Sequence, residues 1–215
     1  MLSTAIFDLD GTLIDSKYDI LDCLSRAYYD CLGVELPLSA IKIGPPLEEM
    51  LHAISPEMST SKMSEVILSF RTYYKNSSFS KTKYFDGIIP LLSKLHDNNC
   101  LLFVATNKPL LITKHILKVL GGNFFGDNIM TIDTFIGKKL TKSQMLNEII
   151  KNNHLFKKNC IFIGDTPSDV SAAKQVALTS VAVGYGYSGR EELIQSFPDF
   201  YIETVAELSD LLITN

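Results

Sequence analysis

The stretch Ala5-Ile6-Phe7-Asp8-Leu9-Asp10-Gly11-Thr12-Leu13-Ile14-Asp15 decides the fold of this chain. Its opening run Ala5-Ile6-Phe7 is apolar without alternation, the pattern of a strand buried on both faces in a parallel sheet. The run breaks at Asp8-Leu9-Asp10-Gly11. Carboxylates at i and i+2 on an extended backbone point to the same side, and Gly11 then allows a sharp turn. Two like charges thus meet at the C-terminal end of a strand. Such a pair repels unless a cation or a shared proton relieves it. With oxygen donors and no His or Cys nearby, the cation this pattern suits is Mg²⁺. The competing reading is an ordinary strand end with an Asp-Gly turn.

Outward from this stretch, two textures follow. Residues 16 to 80 carry helical periodicity and no convincing strand. Ile20, Leu21, Leu24, Ala27, Tyr28, Cys31 and Leu32 repeat at helical spacing up to Gly33, and Met63, Val66, Ile67, Phe70 and Tyr74 do so again. Between them, Pro37, Gly44-Pro45-Pro46 and Pro56 allow only short helices and loops. From residue 81 onward strands and helices alternate. Leu101 to Ala105 and Cys160 to Ile163 read as buried strands, Val181 to Val183 as another, Phe200 to Ile202 as an edge strand, and residues 129 to 135 as a short one. Thr141 with Gln144 is a capping-box pattern opening a helix over 142–152, and Pro167 suits the first position of a helix. Ser188 with Glu191 and Thr204 with Glu207 are read the same way.

This alternation calls for an α/β fold, a doubly wound parallel sheet with right-handed crossovers. The first strand belongs to that sheet, but the helical block interrupts before the second. The expected organisation is a core of residues 1–15 and 81–215 with an all-helical cap inserted over 16–80.

Composition excludes several classes. The chain has 215 residues, 46% of them hydrophobic, and a formal net charge of −4. That suits one core with an insertion, and it leaves no basic footprint for nucleic acid or an anionic membrane. No apolar run reaches the length of a transmembrane helix, and the N-terminus lacks the pattern of a secretory signal. The four cysteines, Cys23, Cys31, Cys100 and Cys160, fit no zinc spacing, and Cys100 and Cys160 open apolar runs as buried free thiols. A cytoplasmic setting is the expectation. Monomer and weak homodimer are both compatible with the sequence.

In an open parallel sheet, ligands gather at the C-terminal strand ends near the switch point. Three buried strands end there in polar residues: Asp8 and Asp10, Thr106 and Asn107, and Asp165 with Asp169 one helical turn on. Each alone has a local explanation, as a cap or as a partner for a helix dipole. Their convergence on one rim is what points to chemistry.

Asp8-Leu9-Asp10-Gly11-Thr12-Leu13 with Asp15-Ser16, Ala105-Thr106-Asn107-Lys108, and Gly164-Asp165-Thr166-Pro167-Ser168-Asp169 resemble the first, second and fourth motifs of the haloacid dehalogenase superfamily. The resemblance spans essentially the whole chain, cap included. Tyr84-Phe85-Asp86-Gly87 and Gly184-Tyr185-Gly186 have the look of its phosphoglycolate phosphatase branch. The resemblance implies a Rossmann-like core, a Mg²⁺ cofactor, and a small phosphorylated metabolite as substrate. It implies Asp8 as nucleophile, Asp10 as acid and base, and Thr106 with Asn107 around the phosphoryl oxygens. Asp8, the Asp10 carbonyl, Asp165 and Asp169 would hold the metal. The superfamily's third motif is a lysine. Here Gly137-Lys138-Lys139-Leu140-Thr141-Lys142 departs from the common Lys-Pro-x-Pro. Lys142 is the choice, because it opens the helix leading toward the fourth motif, with Lys138 and Lys139 as runners-up. In the cap, Ile43-Gly44-Pro45-Pro46-Leu47 resembles the loop that faces the active site, which makes Gly44 a candidate substrate contact. Arg71 is another, set against a plain surface ion pair.

An Asp at position 10 favours phosphoryl transfer over dehalogenation within such a superfamily. The sequence does not name the leaving group. Nucleotidase, pyrophosphatase, sugar-phosphate phosphatase and phosphohexomutase remain alternatives, as does a catalytically silent binding protein.

Overall fold

The computed structural model describes residues 2–214. Six strands form one all-parallel sheet in the order β5-β4-β1-β6-β7-β8. They are β1 (Thr4–Phe7), β4 (Leu101–Thr106), β5 (Ile129–Thr131), β6 (Cys160–Gly164), β7 (Thr179–Val183) and β8 (Phe200–Ile202). The short strands β2 (Ile14–Asp15) and β3 (Lys83–Tyr84) form a separate two-stranded sheet.

The core sits on the apolar rows that the parallel register creates. Ile6 is in register with Phe103 on one side and Phe162 on the other. All three side chains are buried, and they pack with Met145, Leu146 and Ile149 of α6 (Lys142–Asn152) and with Ala172 and Ala173 of α7 (Pro167–Gln175). Burial of each large side chain in this row stabilises by about 1.5–3 kcal/mol. Alternation then turns Ala5 and Phe7 to the opposite face, where they are equally buried.

Strand order makes β1 the switch point. The chain runs from β1 to β4 and β5 on one side, and then returns to β6, β7 and β8 on the other. In open sheets this is where a crevice opens at the strand ends. Asp8, the first residue past β1, donates its N–H to the Ile163 carbonyl at 2.8 Å, so the ends of β1 and β6 stay level.

The chain divides into two units, residues 1–15 with 84–215, and residues 16–83. The second unit is helical: α1 (Lys17–Leu32), a 3₁₀ turn at Leu38–Ala40, α2 (Leu47–Ile54) and α3 (Thr60–Lys75). Gly33 ends α1 in the left-handed conformation with φ 70°, and Ser59 caps α3 by accepting from the Lys62 N–H at 3.3 Å. Tyr28 and Ser55 share a buried hydrogen bond of 2.7 Å. The return to the core comes at Tyr84, three residues later than the expected residue 81. The reason is local. Lys81 N–H and Thr82 Oγ1 both donate to Asp19 Oδ2 in the first turn of α1, at 3.1 and 2.6 Å, and tie residues 81–83 into the helical unit.

Local signals mark most helix starts. Thr141–Gln144 is a complete capping box at α6, and Pro167 occupies the first turn of α7. Thr204 Oγ1 accepts from the Glu207 N–H at 3.2 Å below α9 (Val205–Thr214). Ser188 is a correction. Helix α8 (Arg190–Gln195) begins after Gly189 without a side-chain cap, because the neighbouring Tyr187 is committed to Asp165 and Asp15 and leaves Ser188 ahead of the helix. All four cysteines are free; Cys160 is buried as expected, whereas Cys100 is only half-buried. No helix among the described residues is long and apolar enough to cross a membrane.

Candidate active site

Three carboxylates converge at the end of the central strands. Oxygens of Asp8, Asp165 and Asp169 all lie within 4.8 Å of one another, and all three residues are buried. Backbone geometry puts them there. Asp8 and Asp165 are the residues that follow β1 and β6, whose pairing Phe7↔Ile163 is the last in register before them. Asp169 is the third residue of α7 and part of its capping box. Its Oδ2 accepts from Thr166 N–H at 3.1 Å and from Thr166 Oγ1 at 2.6 Å. That turns Oδ1 inward, where it is buried and makes no hydrogen bond.

Lys142 enters this cluster from the first turn of α6. Its Nζ donates to Asp8 Oδ1 at 2.5 Å and stands 3.0 Å from Asp169 Oδ1 in an ion pair that lacks hydrogen-bond direction. Of the three lysines considered from sequence, Lys138 and Lys139 are exposed, and Lys142 is the one that reaches Asp8. Asp10 stands apart from the cluster. Its Oδ1 pairs with Lys108 Nζ at 3.0 Å, and both side chains are largely buried. Asp10 is held by the tight loop in which Gly11 N–H donates to Ile14 O at 2.9 Å and Leu13 N–H to Leu9 O at 2.9 Å.

Asp165 is enclosed most tightly. Thr12 Oγ1 donates to its Oδ1 at 3.2 Å and the Tyr187 N–H to its Oδ2 at 2.8 Å. Tyr185 and Tyr187 also reach the first loop, donating to Thr12 O and Asp15 Oδ1, each at 3.1 Å. Glycine is required on both sides. A Cβ on Gly11 would lie 2.1 Å from Asp165 Oδ2, and one on Gly186 would lie 2.2 Å from Asp165 Cβ.

The electrostatics follow from burial. Loss of solvent pushes the Asp8 carboxyl up to about 7; Lys142 pulls it down, and Asp169 and Asp10 push it up. Asp165 is raised well above the usual carboxylate range, first by burial and then by Asp8 and Asp169. Burial opposes the charge on Lys142, but Asp169 and Asp8 more than offset it and hold its pKa above the ordinary lysine value. Three buried carboxylates thus face one buried ammonium, an excess of two formal negative charges. An all-oxygen donor set and this excess of buried negative charge together fit a hard divalent cation.

Thr106, the last residue of β4, is buried, and its Oγ1 accepts from the Lys108 N–H at 3.1 Å. Asn107 follows at the same rim, half-buried. The two cap candidates lie in the other unit. Gly44 sits in a loop at φ 130°, and the exposed Arg71 pairs with Glu48 at 3.7 Å. Sequence reasoning gave no role to Lys108, Thr12, Gly186 or Tyr187. The first three lie inside quoted stretches, but nothing local shows that Lys108 meets Asp10 or that Thr12 and Gly186 meet Asp165. A surface cavity of about 360 Å³ beside α5 (Leu110–Leu120), lined by Lys114, Leu117, Gly122, Phe125 and Ile129, shares no residue with this cluster.

A family model for haloacid dehalogenase-like hydrolases matches residues 5–183. Among curated proteins, the chain is 28% identical to a phosphoglycolate phosphatase of Vibrio vulnificus, over 97% of this chain and 95% of that one. It is 30% identical to the tyrosine-protein kinase PtkA of Mycobacterium tuberculosis, over 96% of this chain and 70% of the other. Among solved structures, a predicted phosphatase from Clostridium acetobutylicum superposes with a TM-score of 0.90 at 29% identity, covering 100% of both chains.

Proposed function

Because this chain belongs to the haloacid dehalogenase-like hydrolase family, we propose that it is a Mg²⁺-dependent phosphomonoester hydrolase acting on a small phosphorylated metabolite through an aspartyl-phosphate. The observation that carries the reading is the Asp8 carboxylate, bonded to Lys142 Nζ at 2.5 Å within the cluster of Asp8, Asp165 and Asp169.

Asp8 attacks the phosphorus and splits one difficult displacement into two easier ones. Lys142 orients that carboxylate and offsets its charge as a dianionic phosphate approaches. Thr106, with N–H groups near Leu9 and Asn107, holds the phosphoryl oxygens. Asp10 gives a proton to the departing alkoxide, and then takes one from the water that opens the acyl phosphate. Asp8, the Asp10 carbonyl, Asp165 and Asp169 would hold Mg²⁺, which supplies charge neutralisation for an anion attacking an anion. Phosphoglycolate is the leading substrate, supported by the likeness to the Vibrio phosphatase and by the loop Gly184-Tyr185-Gly186. The reading places the protein in the cytoplasm, with neither nucleic acid nor membrane as partner, as a monomer or weak homodimer.

The test is phosphate release from a panel of phosphate esters with and without Mg²⁺, in wild type and Asp8→Asn. Mg²⁺-dependent release that disappears in a folded Asp8→Asn supports the mechanism, and the best kcat/KM names the leaving group. Full activity in Asp8→Asn overturns it. Mg²⁺ binding without turnover of any ester moves the protein to the silent class.

A further inference from the structure

The two aspartates of the first loop each face a buried lysine. Lys142 serves Asp8 and Asp169, whereas Lys108 pairs with Asp10, which lies outside the cluster of Asp8, Asp165 and Asp169. Lys108 Nζ lies 3.0 Å from Asp10 Oδ1, and the lysine side chain is only 5% exposed. Burying an ammonium is costly unless it is paired, and the Asp10 carboxylate supplies a charge partner at this buried position.

The backbone prepares the pairing. Lys108 is the second residue past β4. Its N–H donates to Thr106 Oγ1 at 3.1 Å, and its carbonyl accepts from buried Thr113 Oγ1 at 3.4 Å. Asp10 is equally constrained by the Leu9–Ile14 turn. Two hydrogen-bonded loops from neighbouring strands, β1 and β4, thus present one carboxylate and one ammonium to each other.

We propose that Lys108 is a positioning residue for the leaving-group chemistry of Asp10. It holds the Asp10 carboxylate off the Asp8–Asp165–Asp169 cluster and aims it at the oxygen that departs from phosphorus. Lys108 itself forms no bond to the reacting atoms. The inference rests on the proposed acid role of Asp10, and its test separates the two.

The measurement is kcat and KM for an alkyl phosphate, which needs a proton on its leaving oxygen, and for p-nitrophenyl phosphate, whose phenolate leaves without one. Wild type, Asp10→Asn, Lys108→Met and the double variant are compared, each assayed below its own melting temperature. Asp10→Asn should lower kcat on the alkyl ester by about 10²–10⁴-fold, with a much smaller loss on the aryl ester. Lys108→Met should show the same bias, with an alkyl loss on the order of 10²-fold and little change in KM. In the Asp10→Asn background, Lys108→Met should add less than about twofold, because two residues acting through one step are not additive. Lys108→Gln, which still donates a hydrogen bond, should recover part of the alkyl rate, and it carries the same comparison if Lys108→Met does not fold. Equal losses on both esters, a loss confined to KM, or full additivity in the double variant would overturn the inference. An Asp10→Asn variant with no ester bias would overturn the acid role of Asp10, and the inference with it.

Discussion

Lys142 Nζ donates to Asp8 Oδ1 at 2.5 Å across 134 positions of sequence, from the first turn of α6 to the end of β1. This bond joins the fold to the chemistry: the capped start of α6 carries Lys142, and the end of the central strand carries Asp8. Lys142→Met should therefore reduce kcat/KM by about 10²–10³-fold, the usual loss when one preorganised donor is removed. Circular dichroism should show the same helix and strand content as wild type. Lys138→Met and Lys139→Met, on exposed residues, should stay near wild-type rates. Equal losses in all three variants would remove Lys142 from the site.

The carboxylate cluster makes stability depend on pH and on metal together. Burial pushes the Asp8 carboxyl up to about 7 when no metal is bound, against about 3.9 in an unfolded chain. Asp165 is raised as well. A group raised in the folded state gives stability that is complete below its unfolded pKa and is lost as pH rises through its folded pKa. The metal-free melting temperature should therefore carry a falling contribution from about pH 4 to about pH 7. Mg²⁺ competes with those protons, so its stabilising shift should be larger at about pH 8 than at about pH 5. Thermal melts at both values, with and without MgCl₂, check this. A shift of equal size at both would contradict it.

The Gly184–Gly189 loop closes on Asp165 at Gly186, where there is no room for a side chain. A Cβ at Gly186 would meet Asp165 Cβ at 2.2 Å and the Gly11 carbonyl at 2.4 Å, and a backbone oxygen yields less readily than a side-chain tip. Gly186→Ala should cost about 1–3 kcal/mol by overpacking. It should also displace Asp165 and weaken Mg²⁺ binding by about 10–100-fold, as changes around metal ligands do. Urea melts and calorimetric Mg²⁺ titration read the two effects separately. Gly189→Ala, which meets nothing within 4 Å, is the control that should leave metal binding unchanged.

Much of this was legible because it is written locally. Apolar runs ending in Asp8, Thr106 and Asp165 mark three strand ends, and parallel register brings them level. Thr141–Gln144 and Pro167 mark the helix starts that deliver Lys142 and Asp169. Residues whose meaning depends on a distant partner were not legible. Lys108 is one of 20 cationic residues, and its pairing with Asp10 comes from strand order rather than from any neighbour in sequence. Tyr187 acts on Asp165 through its backbone N–H, a group every residue but proline carries, so its identity gave no signal. Ser188 had the right spacing to Glu191 for a cap, but the hold on Tyr187 outweighs that local preference.

The end of the helical unit offers a last test. Asp19 is buried in α1, and its Oδ2 accepts both the Thr82 hydroxyl at 2.6 Å and the Lys81 N–H at 3.1 Å. The carboxylate thus joins the first and last segments of residues 16–83, which is why that unit runs past residue 80. Asp19→Ala removes the acceptor and leaves a buried hydroxyl and a backbone N–H unpaired. The expected cost is about 1–3 kcal/mol for each buried donor left without a partner. Asp19→Asn keeps one side-chain oxygen and should retain most of the stability. Urea unfolding of both variants checks the order. If Asp19→Ala unfolds with wild type, the bond does not hold the unit closed; if Asp19→Asn falls as far as Asp19→Ala, the charge rather than the acceptor is what residues 81 and 82 require.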